Sequence, residues 1–452
     1  MLVARLRDRV RLHAKASASF GVARLATASG GLLAAFTAVG LFTNVLLARL
    51  LAPDGLGSYA SAFALASVLA AFASAGVATT LARMLPTYRS QQDPFHARGC
   101  LLWAFAHTGT ASVALAVLVC LIGFPLLGLA EQRAAYFLAA LVVPLMALSR
   151  LQQGALQGME RVVAAQIPER LIRPMAFALL LPLWPALAED AERSAAGAMG
   201  WQLLAAGAAV VIGTALMARY GGEWIRSTGA RFQLRSWYRC GMLVAAANLA
   251  QVVSGQAGLA ILPLFEDPAP IGYYRVALVM ATFVGYSALI AVHPVGALIA
   301  RLHAEGKQAD LARLVTSAAR LVWVGSVLAA ATLVVFGQLL LTALFGHDFA
   351  DAYPILIALV IGELCAVPAS WRILVLQMTG RERMAADCLV IGAAIGLILT
   401  FVLAGLYGVV GAVIADAATR LVVSLLLVFR SRRPSAEAVS AVRSCSKSST
   451  TR

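Results

Sequence analysis

Apolar residues in this chain gather into long blocks, and polar residues collect in the short stretches between them. The blocks reach 18 residues or more, enough to cross a hydrocarbon core of about 30 Å as α-helix. They do not alternate in the short segments of a membrane β-barrel. They predict helices over 25–51, 57–82, 99–126, 134–157, 170–188, 195–218, 241–265, 271–300, 314–345, 352–378, 384–406 and 408–430. Pro174, Pro182 and Pro185 interrupt the fifth; a spanning helix tolerates proline where its neighbours satisfy the freed carbonyls. The predicted class is all-α, a polytopic transmembrane helical bundle of about twelve spans.

Charge supports that count. Charged residues make up 13% of the chain and hydrophobic ones 61%, against about 25% charged in a soluble domain. Net charge is +15, but the basic residues sit in tails and short connections, a membrane-topology pattern and not a nucleic-acid face. With the N-terminus in the cytoplasm, the even-to-odd connections are basic. They carry Arg83, Arg89 and Arg98; Arg161, Arg170 and Arg173; Arg219, Arg226, Arg231, Arg235 and Arg239; Arg301, Lys307 and Arg313; then Arg381 and Arg383. The odd-to-even connections are poor in basic residues and often acidic: Glu131 with Arg133; Glu189, Asp190 and Glu192 with Arg193; Glu266 and Asp267; His347, Asp348 and Asp351. Dropping one helix would invert every later connection. The expected layout is a basic cytoplasmic N-tail (1–24), a six-helix bundle (25–218), a cytoplasmic linker (219–240), a second six-helix bundle (241–430) and a disordered basic C-tail (431–452). The basic start from Arg5 to Lys15 leads into an apolar block longer than a signal-peptide core, which reads as an uncleaved first helix. Six scattered cysteines show no CxxC or Cys/His spacing, so neither a zinc site nor a disulfide framework is expected.

The halves echo one another. Gly57, Tyr59, Ala62 and Ala66 recur as Gly272, Tyr274, Ala277 and Ala281, all at an offset of 215. Gly158-Met159-Glu160-Arg161 recurs as Gly380-Arg381-Glu382-Arg383, at an offset of 222. Both matches pair a helix with the one six places later, so the repeats run parallel about an axis along the membrane normal. Two such bundles suggest alternating access to a site between them.

The stretch Leu46-Leu47-Ala48-Arg49-Leu50-Leu51-Ala52-Pro53-Asp54-Gly55-Leu56-Gly57-Ser58-Tyr59 resembles the first-hairpin signature of bacterial polysaccharide flippases (Wzx-like) of the multidrug/oligosaccharidyl-lipid/polysaccharide exporter superfamily. Similar stretches follow in order: Leu156 to Arg161, Ile271 to Ala277, Leu344-Phe345-Gly346 with Phe349-Ala350, Met378 to Arg383, and Tyr407 to Ala412. The resemblance spans roughly 25–430. It implies movement of undecaprenyl-pyrophosphate-linked oligosaccharide across the bacterial inner membrane through a cationic cavity, without covalent chemistry or a cofactor. It also implies a polysaccharide polymerase and a chain-length regulator as partners. Members commonly have fourteen helices, where twelve are predicted here.

Arginine suits pyrophosphate because its fork stays charged and binds bidentately. Arg49 and Arg275 lie near helix ends, where snorkelling competes with a cavity role. Arg173 and Arg24 read more simply as cytoplasmic anchors; Arg372 lies about two turns inside its helix. Asn44, Asn248, Gln251 and Gln256 offer uncharged hydrogen-bonding groups on corresponding helices, for a cavity wall or for helix–helix bonds. Glu363 sits mid-span and is an ion-coupling candidate with Asp416 and Arg420, whose i,i+4 spacing also fits an internal pair. Glu363 and Arg372, nine residues apart, face opposite ways. His107 and His293 read as packing residues.

No Walker A loop, GxSxG or HExxH motif is present. No connection is long enough for a catalytic domain, so an enzyme such as a polymerase is disfavoured. The remaining rival is an ion-driven small-molecule exporter of the same superfamily, which would carry an acidic cavity.

Overall fold

The computed structural model describes residues 2–126, 130–184, 194–226 and 229–432, with side chains from residue 38 onward except 122–126, 130–131, 223–226, 243–244, 287–294, 297 and 431–432. The acidic side chains of Glu131, Glu189, Asp190 and Glu192, together with those of Arg24 and His293, lie outside the described residues. So does the C-terminal tail beyond Arg432.

Twelve helical segments follow in order. The first, α1 (2–51), is separated from α2 (53–90) by Ala52, at φ 53° and ψ 179°. The cause is Pro53, which removes a backbone donor and drives the residue before it out of the helical region. Helix α2 bends at 74–76, where Gly76 has a φ of 76°. Next come α3 (Pro94–Leu126) and α4 (Ala130–Gly158). The fifth, α5, is composite: Val162–Gln166, a wide π turn over Ile167–Ile172, then Arg173–Leu180. Pro174 cannot donate to the Arg170 carbonyl, and the helix widens just before it. The series continues with α6 (Ala195–Arg226), α7 (Leu234–Ile261), α8 (Pro268–Ala304), α9 (Gln308–Phe345) and α10 (Tyr353–Met378). Gly408, at φ 57°, divides the last two, α11 (382–407) and α12 (409–432). Glu266 holds that break: its Oε1 accepts the Val409 amide at 3.3 Å.

Three expected boundaries shift. The N-tail is helical from Leu2, α5 starts at Val162, well before 170, and the linker narrows because α6 continues past 218 to a break at Gly222 (φ 43°), with helical turns on to Arg226, and α7 begins at Leu234. Among the described residues, eight stretches are long and apolar enough to cross a membrane, and two of them, Ala38–Ser90 and Glu382–Arg430, each contain a helix break. Outward-facing Leu121, Val211, Leu321 and Leu406 keep the exterior apolar. The protein is a multi-pass membrane bundle.

Four turns at the basic end close alike. The amides of Asp93, Arg161, Lys307 and Arg381 donate to the carbonyls five residues back, of Tyr88, Leu156, Leu302 and Leu376, at 2.9–3.1 Å. Each follows a left-handed residue: Gln92, Glu160, Gly306 and Gly380. This is the Schellman closure, which satisfies carbonyls stranded at a helix end. It aligns residue 160 with 380, an offset of 220. The Gly-x-Glu-Arg match at 222 is therefore two residues out of register; Gln157 with Gln377 and Arg161 with Arg381 are the equivalent pairs.

At the acidic end the repeat meets itself. A Cβ on Gly57 would collide with the Pro268 carbonyl and the Gly272 amide, and one on Gly272 would collide with the Pro53 carbonyl. Pro53 and Gly57 thus face Pro268 and Gly272 reciprocally. Below this seam Tyr59, Ala62, Ala66, Tyr274, Ala277 and Ala281 are all buried.

Candidate functional site

One stripe of α7 organises the interior. Ala245, Asn248, Val252 and Gly255 follow at spacings of three, four and three residues, which one helix face repeats. Two cavities lie along it.

The cavity nearer the basic end has a volume of about 550 Å³. It lies between α2, α4, α5 and α7, and its polar lining includes Arg150, Gln153, Gln157, Arg170, Asn248 and Gln251. Arg150 sits two turns inside α4, since Gly158 ends that helix. Among the described residues neither Arg150 nor Arg170 has a carboxylate within ion-pair distance.

The second cavity, about 460 Å³, lies between α1, α7, α8 and α12. Arg275 donates through Nη2 to Asn44 Oδ1 at 3.0 Å, and Asn44 Nδ2 donates to the Gly40 carbonyl at 2.7 Å. Gln256 lines this space, and its buried Oε1 has no hydrogen-bond partner. Arg420 reaches the same space while held from behind. Its Nη1 lies 2.9 Å from Glu363 Oε1, and its Nε 2.8 Å from Asp416 Oδ2. The internal Asp416–Arg420 pair is present, and the structure adds Glu363 from α10 to it. Among the described residues no carboxylate lines either cavity.

Other candidates lie elsewhere. Arg173 pairs with Glu169 at 3.0 Å and stands over the Phe63 ring, inside the first bundle. Arg49 is exposed and donates through Nε and Nη2 to the Leu344 and Ala343 carbonyls at 2.7 and 2.6 Å. Those carbonyls end α9, where a cation is electrostatically favoured, so Arg49 ties α1 to α9 across the acidic end and lines neither cavity. Arg372 is exposed and lines neither. His107 stacks on Trp103 and bonds Tyr238. Arg150, Gln153 and Gln157 escaped the sequence reading, although a charge at the depth of Arg150 was itself a signal; Arg170 counted there only as a connection charge.

Known proteins agree with this architecture. The inward-facing structure of a multidrug resistance MATE family transporter of the MOP superfamily superposes with a TM-score of 0.69 at 13% identity, over 87% of this chain and 94% of that one. The lipid II flippase MurJ, inward closed, gives 0.65 at 14% identity, over 89% and 87%. The outward-facing structure of a MATE family transporter gives 0.54 at 14%, over 90% and 95%. No curated protein matches the sequence significantly. A family model described as polysaccharide biosynthesis protein matches residues 27–295. Residues 27–295 are more than half of its length, and the chain belongs to the polysaccharide biosynthesis protein family.

Proposed function

We propose that this protein is a flippase that carries undecaprenyl-pyrophosphate-linked oligosaccharide across the bacterial inner membrane for polysaccharide assembly, both termini lying in the cytoplasm. One observation carries the reading: among the described residues, two cavities in succession along α7 are lined by Arg150, Arg170 and Arg275 with amide side chains between them and by no carboxylate, while Arg420 reaches the second already paired with Glu363 and Asp416. Charged groups inside a membrane bundle are costly. A diphosphate compensates arginines, and glycan hydroxyls satisfy amides. A cationic-drug exporter would need acidic lining instead. The lipid II flippase, whose fold this chain shares, is named for a lipid-linked substrate.

The two bundles, 25–218 and 241–430, rock about the cavities. The conformation here superposes better on the inward-facing MATE structure than on the outward-facing one. The acidic end is closed by backbone against glycine. The basic end is joined as well: beside an exposed Arg83–Glu382 pair at 3.7 Å, a contact of little strength, the Thr80 hydroxyl donates to the Trp237 carbonyl, Trp237 donates to Tyr88, and Gly241 packs against the Gly76 backbone. Glu363 and Asp416 hold Arg420 from both sides, and ion coupling acts by loosening that hold. A polymerase and a chain-length regulator act on the product.

The test replaces Arg150, Arg275 and Arg372 singly with Gln in cells that depend on this protein for polymer. Arg150→Gln and Arg275→Gln abolish polymer while the protein stays inserted; Arg372→Gln does not. Full polymer from both cavity variants ends the proposal.

A further inference from the structure

A third, smaller cavity of about 250 Å³ adjoins the one nearer the basic end and shares Ala75, Gly76, Ala245 and Leu249 with it. The bend of α2 at Gly76 forms the sill between them. The other walls are Val77 and Thr80 of α2, Trp103 of α3, and Trp237, Tyr238, Gly241, Met242 and Ala246 of α7.

The character of this space is opposite to its neighbour's. The Trp237 indole N–H donates to Tyr88 Oη at 2.7 Å, the Tyr238 hydroxyl bonds His107 Nδ1 at 3.2 Å, and the Thr80 hydroxyl donates to the Trp237 carbonyl at 3.1 Å. These polar handles are satisfied elsewhere, so the walls offer ring faces and alkyl groups. Trp103 stands 5.4 Å from Trp237 and edge-on to Tyr238 at 5.1 Å, centroid to centroid, so three rings brace one another. Met242 is 64% exposed and Tyr238 45%, so the pocket opens to the outside of the bundle at these two residues. An apolar, aromatic pocket touches a cationic, amide-lined cavity across Ala75, Gly76, Ala245 and Leu249.

A ligand filling both is anionic at one end and hydrocarbon at the other. We propose that this pocket seats the diphosphate-proximal segment of the substrate's prenyl chain while the diphosphate rests between Arg150 and Arg170. The assignment rests on the flippase reading and adds where the chain leaves the protein: between α2, α3 and α7. A hydrocarbon seat beside the anion site holds the carrier in one register, so that the glycan enters first. Packing of the chain against the ring faces supplies binding that does not depend on sugar identity.

The experiment uses the full-length protein in nanodiscs. A diazirine-bearing geranylgeranyl diphosphate is photolysed and the adducts are mapped by mass spectrometry, while inorganic pyrophosphate binding is measured separately. Adducts on Tyr238, Met242 or Ala246 are expected. Ala246→Trp, which fills the pocket from its rim, weakens photoprobe binding at least tenfold and leaves pyrophosphate binding unchanged. Should that variant fold poorly, competition at the wild-type pocket decides. Unlabelled geranylgeranyl diphosphate displaces the probe there, and a phosphatidylglycerol of equal chain length does not. Adducts confined to Leu278, Val279 or Phe283 of the other cavity overturn the assignment, as does equal displacement by phosphatidylglycerol, which marks a general lipid groove. Absent pyrophosphate binding in wild type refutes the flippase reading itself; intact pyrophosphate binding with no adduct in the pocket refutes this inference alone.

Discussion

Replacing Gly57 with Ala tests the acidic-end seam. The new Cβ points at the Pro268 carbonyl and lies 2.9 Å from the Gly272 amide nitrogen. Both are backbone atoms of a helix start and have no rotamer to yield, so α2 and α8 must part locally. Overpacking of this kind costs about 1–3 kcal/mol. The cost falls on the state in which the seam is closed and spares one in which it is open. The open population therefore rises about 5- to 150-fold. Thr282 lines the cavity beneath the seam and reports the change. With Thr282→Cys in a cysteine-free background, an impermeant maleimide applied from the acidic-end side labels the Gly57→Ala protein faster by a factor in that range. Gly272→Ala acts alike, because its Cβ meets the Pro53 carbonyl across the same seam. The double variant then changes labelling by less than the product of the singles, since one opening relieves both contacts. Unchanged labelling in a folded Gly57→Ala protein would refute the seam as a closure.

Other outcomes follow from individual contacts. Arg420→Met strands Glu363 and Asp416 in the interior and destabilises the fold by about 3–5 kcal/mol, read as a lower melting temperature in detergent; adding Glu363→Gln and Asp416→Asn recovers most of the loss. Glu160→Gly relieves a left-handed residue at about 1 kcal/mol and gives up an exposed Arg89 contact of smaller value, so its melting temperature rises. Arg49→Ala removes two bonds to the end of α9 and, like Gly57→Ala, speeds labelling from the acidic-end side. The His96 ring and amide hold the Asp93 carboxyl below its usual range. Its stabilisation is therefore complete above the ordinary carboxylate pKa and disappears as pH falls through the lowered value; Asp93→Asn flattens that acid limb of the melting profile.

The helices were legible because the bilayer demands it: a spanning segment must satisfy every backbone group internally and present apolar side chains for about 20 residues. Both constraints are local, so block lengths and connection charges predicted twelve segments in order. The break before Pro53 was written in one residue for the same reason. The repeat at offset 215 was visible because Gly57 and Gly272 serve one shared contact. The match at 222 misled because identity at a turn says little about its backbone: Glu160 and Gly380 share the left-handed position and no side chain at all.

The site was only partly legible. Depth along a helix follows from counting, and it pointed to Glu363 and Arg372, while Arg275 lay near a helix end and Arg420 was read from its i,i+4 spacing with Asp416. Which way a side chain faces depends on its neighbours. Arg49 and Arg372 were cavity candidates on the same footing as Arg275, yet one binds the end of α9 and the other lines neither cavity. Glu363 meets Arg420 only because α10 and α12 pack together, a contact between residues 57 positions apart. The sequence by itself determined that this chain is a bundle of membrane helices, because hydrocarbon selects on each segment separately. Tertiary structure alone decided which charges neutralise one another and which are left facing a cavity, because electrostatic pairing acts through distances that only the packed helices set.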